Sequence, residues 1–133
     1  MKIAIVGLGY VGLPLSLQFA QSGVSVLGLD IDPFKIKKLN AGESYIKHVS
    51  SQAIRTELDA DRFAASGNFA RISEVEAVII CVPTPLNKNR EPDISYILET
   101  GKAIAPHLRP PIFSASRMSS LAIASNSELA RRE

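Results

Sequence analysis

The chain has 133 residues, 46% apolar and 21% charged, with a net charge of +2, which is the size and balance of one domain around one core. Its cations are scattered (Lys35, Lys37, Lys38, Arg55, Arg71, Lys88, Arg90) without a block or stripe, which argues against nucleic acid as a partner. The one cysteine, Cys81, excludes a disulfide framework and a cysteine-rich metal site, and no metal is expected.

Lys2 to Val6 is a short, β-branched apolar run ended by glycine, which predicts a parallel strand buried on both faces. The apolarity stops at Gly7 and Gly9 with no cleavage pattern behind it, so the run is not read as a signal peptide. No later run approaches the roughly 20 residues of a membrane span. A cytoplasmic location without a membrane partner is the expectation. From Tyr10 to Ser22, Val11, Leu15, Phe19 and Ala20 recur at helical spacing, with Pro14 near the start and Gly23 as the stop. Ser25 to Asp30 reads as a second strand, completing β–α–β within about 30 residues.

Asp32-Pro33 predicts the next helix, an N-cap followed by proline at the first helical position, with Ile36 and Leu39 inward and Gly42 closing it. Ser50 or Ser51 caps a further helix to about Leu58. Phe63 to Ser66 is a weak third strand, followed by the turn-like Gly67-Asn68, and Glu76 to Val82 is a strong fourth one. Pro83-Thr84-Pro85 breaks it. A polar loop leads to Pro92, and Asp93 or Ser95 caps a helix carrying Ile97, Leu98 and Ile104 that ends near Pro106. The alternation predicts an α/β fold, a doubly wound parallel sheet of Rossmann type with helices on both faces, occupying residues 1–110. Residues 111–133 are serine-rich and form an atypical tail, in which Ile112 to Ala115 is a candidate strand and Met118 to Arg132 a candidate helix.

Gly7-Leu8-Gly9-Tyr10-Val11-Gly12 matches G-x-G-x-x-G, and it follows a strand and opens a helix, as a dinucleotide-binding fingerprint requires. Gly7 permits the tight turn, Gly9 lets a pyrophosphate reach the main chain, and Gly12 lets the helix pack closely on the sheet. The phosphates would then face free N–H groups at the positive end of the helix. Asp30 ends the second strand near the offset of the acid that accepts hydrogen bonds from the adenosine ribose and repels a 2′-phosphate, so NAD is expected rather than NADP. Asp32 competes for that role but reads better as the helix cap. Val82 to Pro85, at the carboxyl end of the fourth strand, should border the cofactor. Cys81 lies in an apolar strand with no neighbouring His or Lys, and is read as a buried structural thiol. His48 and His107 read as solvated surface groups, and Glu43, Glu57, Glu74 and Glu91 lie in polar surroundings and need no special role.

Ile3 to Pro14, Gly28-Leu-Asp-Ile-Asp32, Ile80 to Pro85 and Pro92-Asp93 together resemble the UDP-glucose/GDP-mannose dehydrogenase family, over about residues 1–110. The stretch from Gly42 to His48 resembles the branch acting on UDP-N-acetylated sugars. The resemblance implies NAD-dependent, two-step oxidation of a sugar C6 alcohol to a carboxylate, with a UDP-sugar as substrate in the full-length proteins. It assigns Asp30 and Lys35 to the adenosine side, the Tyr10 and Val11 backbone to the pyrophosphate, and Val82, Pro83, Thr84 and Pro85 to the nicotinamide side; from its position alone Lys35 is a solvated helix charge. The family's catalytic cysteine and lysine belong to further domains, and Cys81 does not match that cysteine. The chain is therefore expected to bind NAD without turnover, and a stand-alone NAD-binding or regulatory module is the alternative. The tail shows nothing of the family's continuation, as a truncation, a frameshifted end or a lineage-specific replacement would.

Overall fold

A computed structural model describes residues 1–81, 88–90, 95–107 and 120–123. Strands β1 (Lys2–Val6), β2 (Ser25–Leu29), β3 (Phe63–Ser66), β4 (Ala77–Ile80) and β5 (Ser120–Ile123) are interleaved with helices α1 (Gly12–Gln21), α2 (Pro33–Asn40), α3 (Ser51–Asp59) and α4 (Ser95–Ile104). The strands pair in parallel in the spatial order β3-β2-β1-β4-β5. The direction of winding reverses between β1 and β4, and the crevice outside the carboxyl ends of strands at such a point is where open α/β sheets bind ligands.

The strands are apolar on both faces because both faces are covered. Ile3, Ile5, Val26 and Phe63 pack with Leu13 and Leu17 of α1, Leu39 of α2 and Ile54 of α3. On the opposite face Ala4, Val6, Leu27, Leu29, Val78 and Ile80 pack with Ile104 of α4 and Ile72 of a 3₁₀ turn, Phe69–Glu74. Residues from the two faces alternate along every central strand, as the pleat demands. Each of these fully buried Leu and Ile side chains stabilises the fold by about 1.5–3 kcal/mol relative to exposure.

Caps explain the helix starts. The Asp32 carboxylate accepts from the Phe34 N–H at 2.9 Å, with Pro33 at the first helical position of α2. Ser50 caps α3 by accepting from the Ala53 N–H at 3.1 Å. By contrast, α1 begins at Gly12 with no side-chain cap. Its first N–H groups are left for something other than a side chain.

Two expectations are corrected. Ser120–Ile123 is not helical: it forms β5, paired in register with Ala77–Ile80. The apolar run Leu121-Ala122-Ile123 gains a ladder beside β4, which outweighs the weak helical periodicity of a serine-rich stretch. Nor does Glu57 lie in polar surroundings. It is 2% exposed, and its carboxylate accepts from the Arg62 Nε at 2.7 Å. The candidate strand Ile112 to Ala115 lies outside the described residues.

Candidate functional site

Where β1 runs out, the Gly7 N–H still donates to the Leu29 carbonyl at 2.7 Å, and the Cys81 N–H to the Val6 carbonyl at 2.7 Å. The sheet therefore stays closed up to the turn. Gly7 then takes φ 98°, in the left-handed region that favours glycine, and the chain folds back into α1. A Cβ on Gly12 would stand 1.6 Å from the Gly7 carbonyl oxygen and 3.4 Å from the Cys81 Cβ. The helix can approach the strand ends only because that atom is missing. Around Gly9 the situation is reversed, since a Cβ there would meet nothing within 4 Å. Gly12 is bare to let protein in, and Gly9 stands open to what lies outside.

Beside this turn is a cavity of about 450 Å³, within the usual range for small-molecule sites. Gly7, Leu8, Gly9 and Tyr10 form one side, and Asp30, Ile31, Asp32 and Lys35 the next. Phe69, Cys81, Glu99, Thr100 and Ala103 complete it. Of the residues expected at a cofactor, the structure thus brings together Gly7, Gly9, Tyr10, Asp30 and Lys35. Val11 and Gly12 do not line the cavity; Val11 is the N-cap of α1 and Gly12 its first residue. Val82, Pro83, Thr84 and Pro85 lie outside the described residues.

Asp30 is 8% exposed, and both its oxygens are held. Oδ2 accepts from the Leu8 N–H at 2.8 Å, and Oδ1 from the Asp32 N–H at 2.9 Å. A carboxylate has about four acceptor positions, so two remain for hydroxyl donors from the cavity. Lys35 Nζ is 3.8 Å from Oδ2 and 5.9 Å from the centre of the Tyr45 ring. It is thus an ion-paired cation at the cavity wall as well as a helix-surface charge. Among the described residues, the N–H groups of Gly9, Tyr10 and Val11 have no hydrogen-bond partner. These donors, the open approach at Gly9 and the acid at the strand end suit an anionic diphosphate flanked by a ribose.

The second row of the site was less legible. Phe69 follows β3 closely, so the rule that ligands gather at carboxyl ends of strands points to it. Glu99, Thr100 and Ala103 form one helical stripe on α4, the helix read from Ile97, Leu98 and Ile104. Tyr45 lies in the Gly42–His48 stretch, and the sequence does not mark it as a site residue. Its hydroxyl donates to the Leu8 carbonyl, and burial, then the Asp30 and Asp32 carboxylates, push its pKa above the usual tyrosine value. His48 is exposed, with its ring centre 6.5 Å from that of Tyr10, itself 73% exposed. Cys81 is 3% exposed, and burial pushes its thiol up to about 11.

No helix among the described residues is long and apolar enough to cross a membrane. UDP-N-acetyl-D-mannosamine dehydrogenase of Escherichia coli (strain K12) is 35% identical over 112 residues, covering 80% of this chain and 25% of that protein. Among solved structures, a ternary complex of GDP-mannose dehydrogenase from Pseudomonas aeruginosa matches with a TM-score of 0.84 at 28% identity, over 94% of this chain and 28% of that one. UDP-D-ManNAc dehydrogenase from Pyrococcus horikoshii matches with a TM-score of 0.83 at 30% identity, over 99% and 31% of the two chains. This chain spans about a quarter of the length of the curated relatives it matches. The model of the UDP-glucose/GDP-mannose dehydrogenase family, NAD binding domain, matches residues 1–126. With the glycine turn, the acid ending β2 and the sheet order all in agreement, the chain belongs to the UDP-glucose/GDP-mannose dehydrogenase family as its NAD binding domain.

Proposed function

We propose that this chain holds NAD for the oxidation of a nucleotide sugar at C6 and does not turn over by itself. The observation that carries the reading is the cavity beside the Gly7–Gly12 turn, where unpartnered main-chain N–H groups and the Asp30 carboxylate stand together. The N–H groups of Gly9, Tyr10 and Val11 would hold the diphosphate, reinforced by the positive end of α1. Asp30 would accept from the ribose hydroxyls on its remaining lone pairs, with Lys35 as its ion-pair partner at 3.8 Å. Ile31, 81% exposed, and Phe69 offer apolar surface for the adenine. Val82 to Pro85 would border the nicotinamide, which, when bound, supplies the hydride acceptor.

The chemistry at the sugar needs a nucleophile for the aldehyde step, and Cys81 is poorly suited to it. A thiol pushed up to about 11 has little thiolate at neutral pH, and burial keeps it from a sugar. A UDP-sugar would therefore react here only together with groups that the described residues do not supply. The same reading puts the protein in the cytoplasm, where it would meet both ligands.

Calorimetric titration with NAD and NADP tests the site and its preference together. We expect NAD to bind and NADP to bind at least about tenfold more weakly, because Asp30 meets the 2′-phosphate as a like charge. No NADH should form with any UDP-sugar. Equal affinity for the two cofactors, or measurable NADH from this chain, would contradict the proposal.

A further inference from the structure

Leu8, between Gly7 and Gly9, is gripped at both of its main-chain polar atoms by side chains from elsewhere in the fold. Its N–H donates to Asp30 at 2.8 Å, and its carbonyl accepts from the Tyr45 hydroxyl. Tyr45 is well placed to grip. It sits between α2 and α3 with Ile46 buried beside it. Ser44 makes a tight turn there, its N–H donating to Ser51 Oγ at 3.0 Å and its Oγ accepting from the Ile46 N–H at 3.1 Å. Lys35 lies over the Tyr45 ring and also pairs with Asp30, so the two grips share a cation.

A trans peptide is planar, with its C=O and N–H pointing opposite ways. Fixing the Leu8 carbonyl toward Tyr45 therefore turns the Gly9 N–H away from Tyr45. Gly9 is the residue with open space around it, and its N–H has no partner among the described residues. We propose that Tyr45 is a positioning residue of the dinucleotide site: by holding the Leu8 carbonyl it aims the Gly9 N–H at the diphosphate. The proposal rests on the NAD reading above and assigns a role there to the segment between α2 and α3. Burial and the neighbouring carboxylates keep the hydroxyl protonated, so it remains a donor through the neutral range.

The test is a ¹H–¹⁵N shift titration of the chain and its Tyr45→Phe variant with NAD, ADP and adenosine. Losing one hydrogen bond of ordinary net strength should raise the dissociation constants for NAD and ADP about three- to tenfold. Adenosine has no diphosphate, so its affinity should not change. In the wild type, independently of the variant, the Gly9 amide should shift with ADP and stay put with adenosine. Unchanged NAD affinity in Tyr45→Phe, an equal loss for adenosine, or a Gly9 amide indifferent to ADP would each overturn the proposal. Failure of the NAD reading itself would show in the wild type, which would then bind none of the three; failure of the Tyr45 role shows with the wild type binding normally.

Discussion

Asp30 and Lys35 divide the work of choosing a cofactor. The acid is nearly buried, tied down by two main-chain N–H groups, and leaves acceptor capacity toward the cavity. The amine is 3.8 Å away, part-exposed, and would welcome negative charge if its partner were gone. Asp30→Ala should therefore weaken NAD binding at least about tenfold, the loss of a charge-assisted hydrogen bond or two. It should also narrow the preference for NAD over NADP, since the repulsion disappears while Lys35 stays. Calorimetry with both cofactors reads both effects, and an unchanged NAD affinity would remove Asp30 from the site. Asp30 was legible in the sequence because strand-end position and spacing from the glycines are one-dimensional facts. Tyr45 was not, because its partner Leu8 lies 37 residues away and only the folded sheet brings them together.

The segment joining α3 to β3 shows the same limit in a structural setting. Reading Glu57 as an acid in polar surroundings followed from its neighbours in sequence, yet the helix turns it inward against Arg62. The Arg62 N–H also donates to the Glu57 carbonyl at 3.0 Å, so one residue closes the turn twice. Glu74 provides the contrast: exposed, it bonds Arg71 at 3.0 Å and Lys2 at 3.0 Å. Removing one partner there leaves another, and exposed pairs contribute little. Removing Arg62 leaves a buried carboxylate without its cation. Arg62→Met should accordingly lower the urea midpoint clearly more than Arg71→Met. The reverse order would mean that Glu57 does not depend on Arg62 as its partner. The caps, by comparison, were readable, since Asp32-Pro33 and Ser50 act over three residues at most.

Across the fold, the four strands from Lys2 to Ile80 were legible because continuous apolarity bounded by glycine or polar turns is what a doubly covered parallel sheet requires. The fifth was not. Its pairing with β4 is a long-range event, and its short apolar run looks the same in a helix or a strand. What the sheet accomplishes is a fixed crevice at the ends of β1 and β2, with one glycine bare for packing and another bare for a ligand. Gly9→Ala separates those two uses. The added methyl group meets open space, so the melting temperature should hold within a few degrees, while a diphosphate approaching the main chain would meet the methyl. Calorimetric titration of Gly9→Ala with NAD should show binding reduced at least about tenfold beside an intact fold, a change of about 1.4 kcal/mol or more. A variant that folds normally and binds NAD as tightly as the parent would contradict the account.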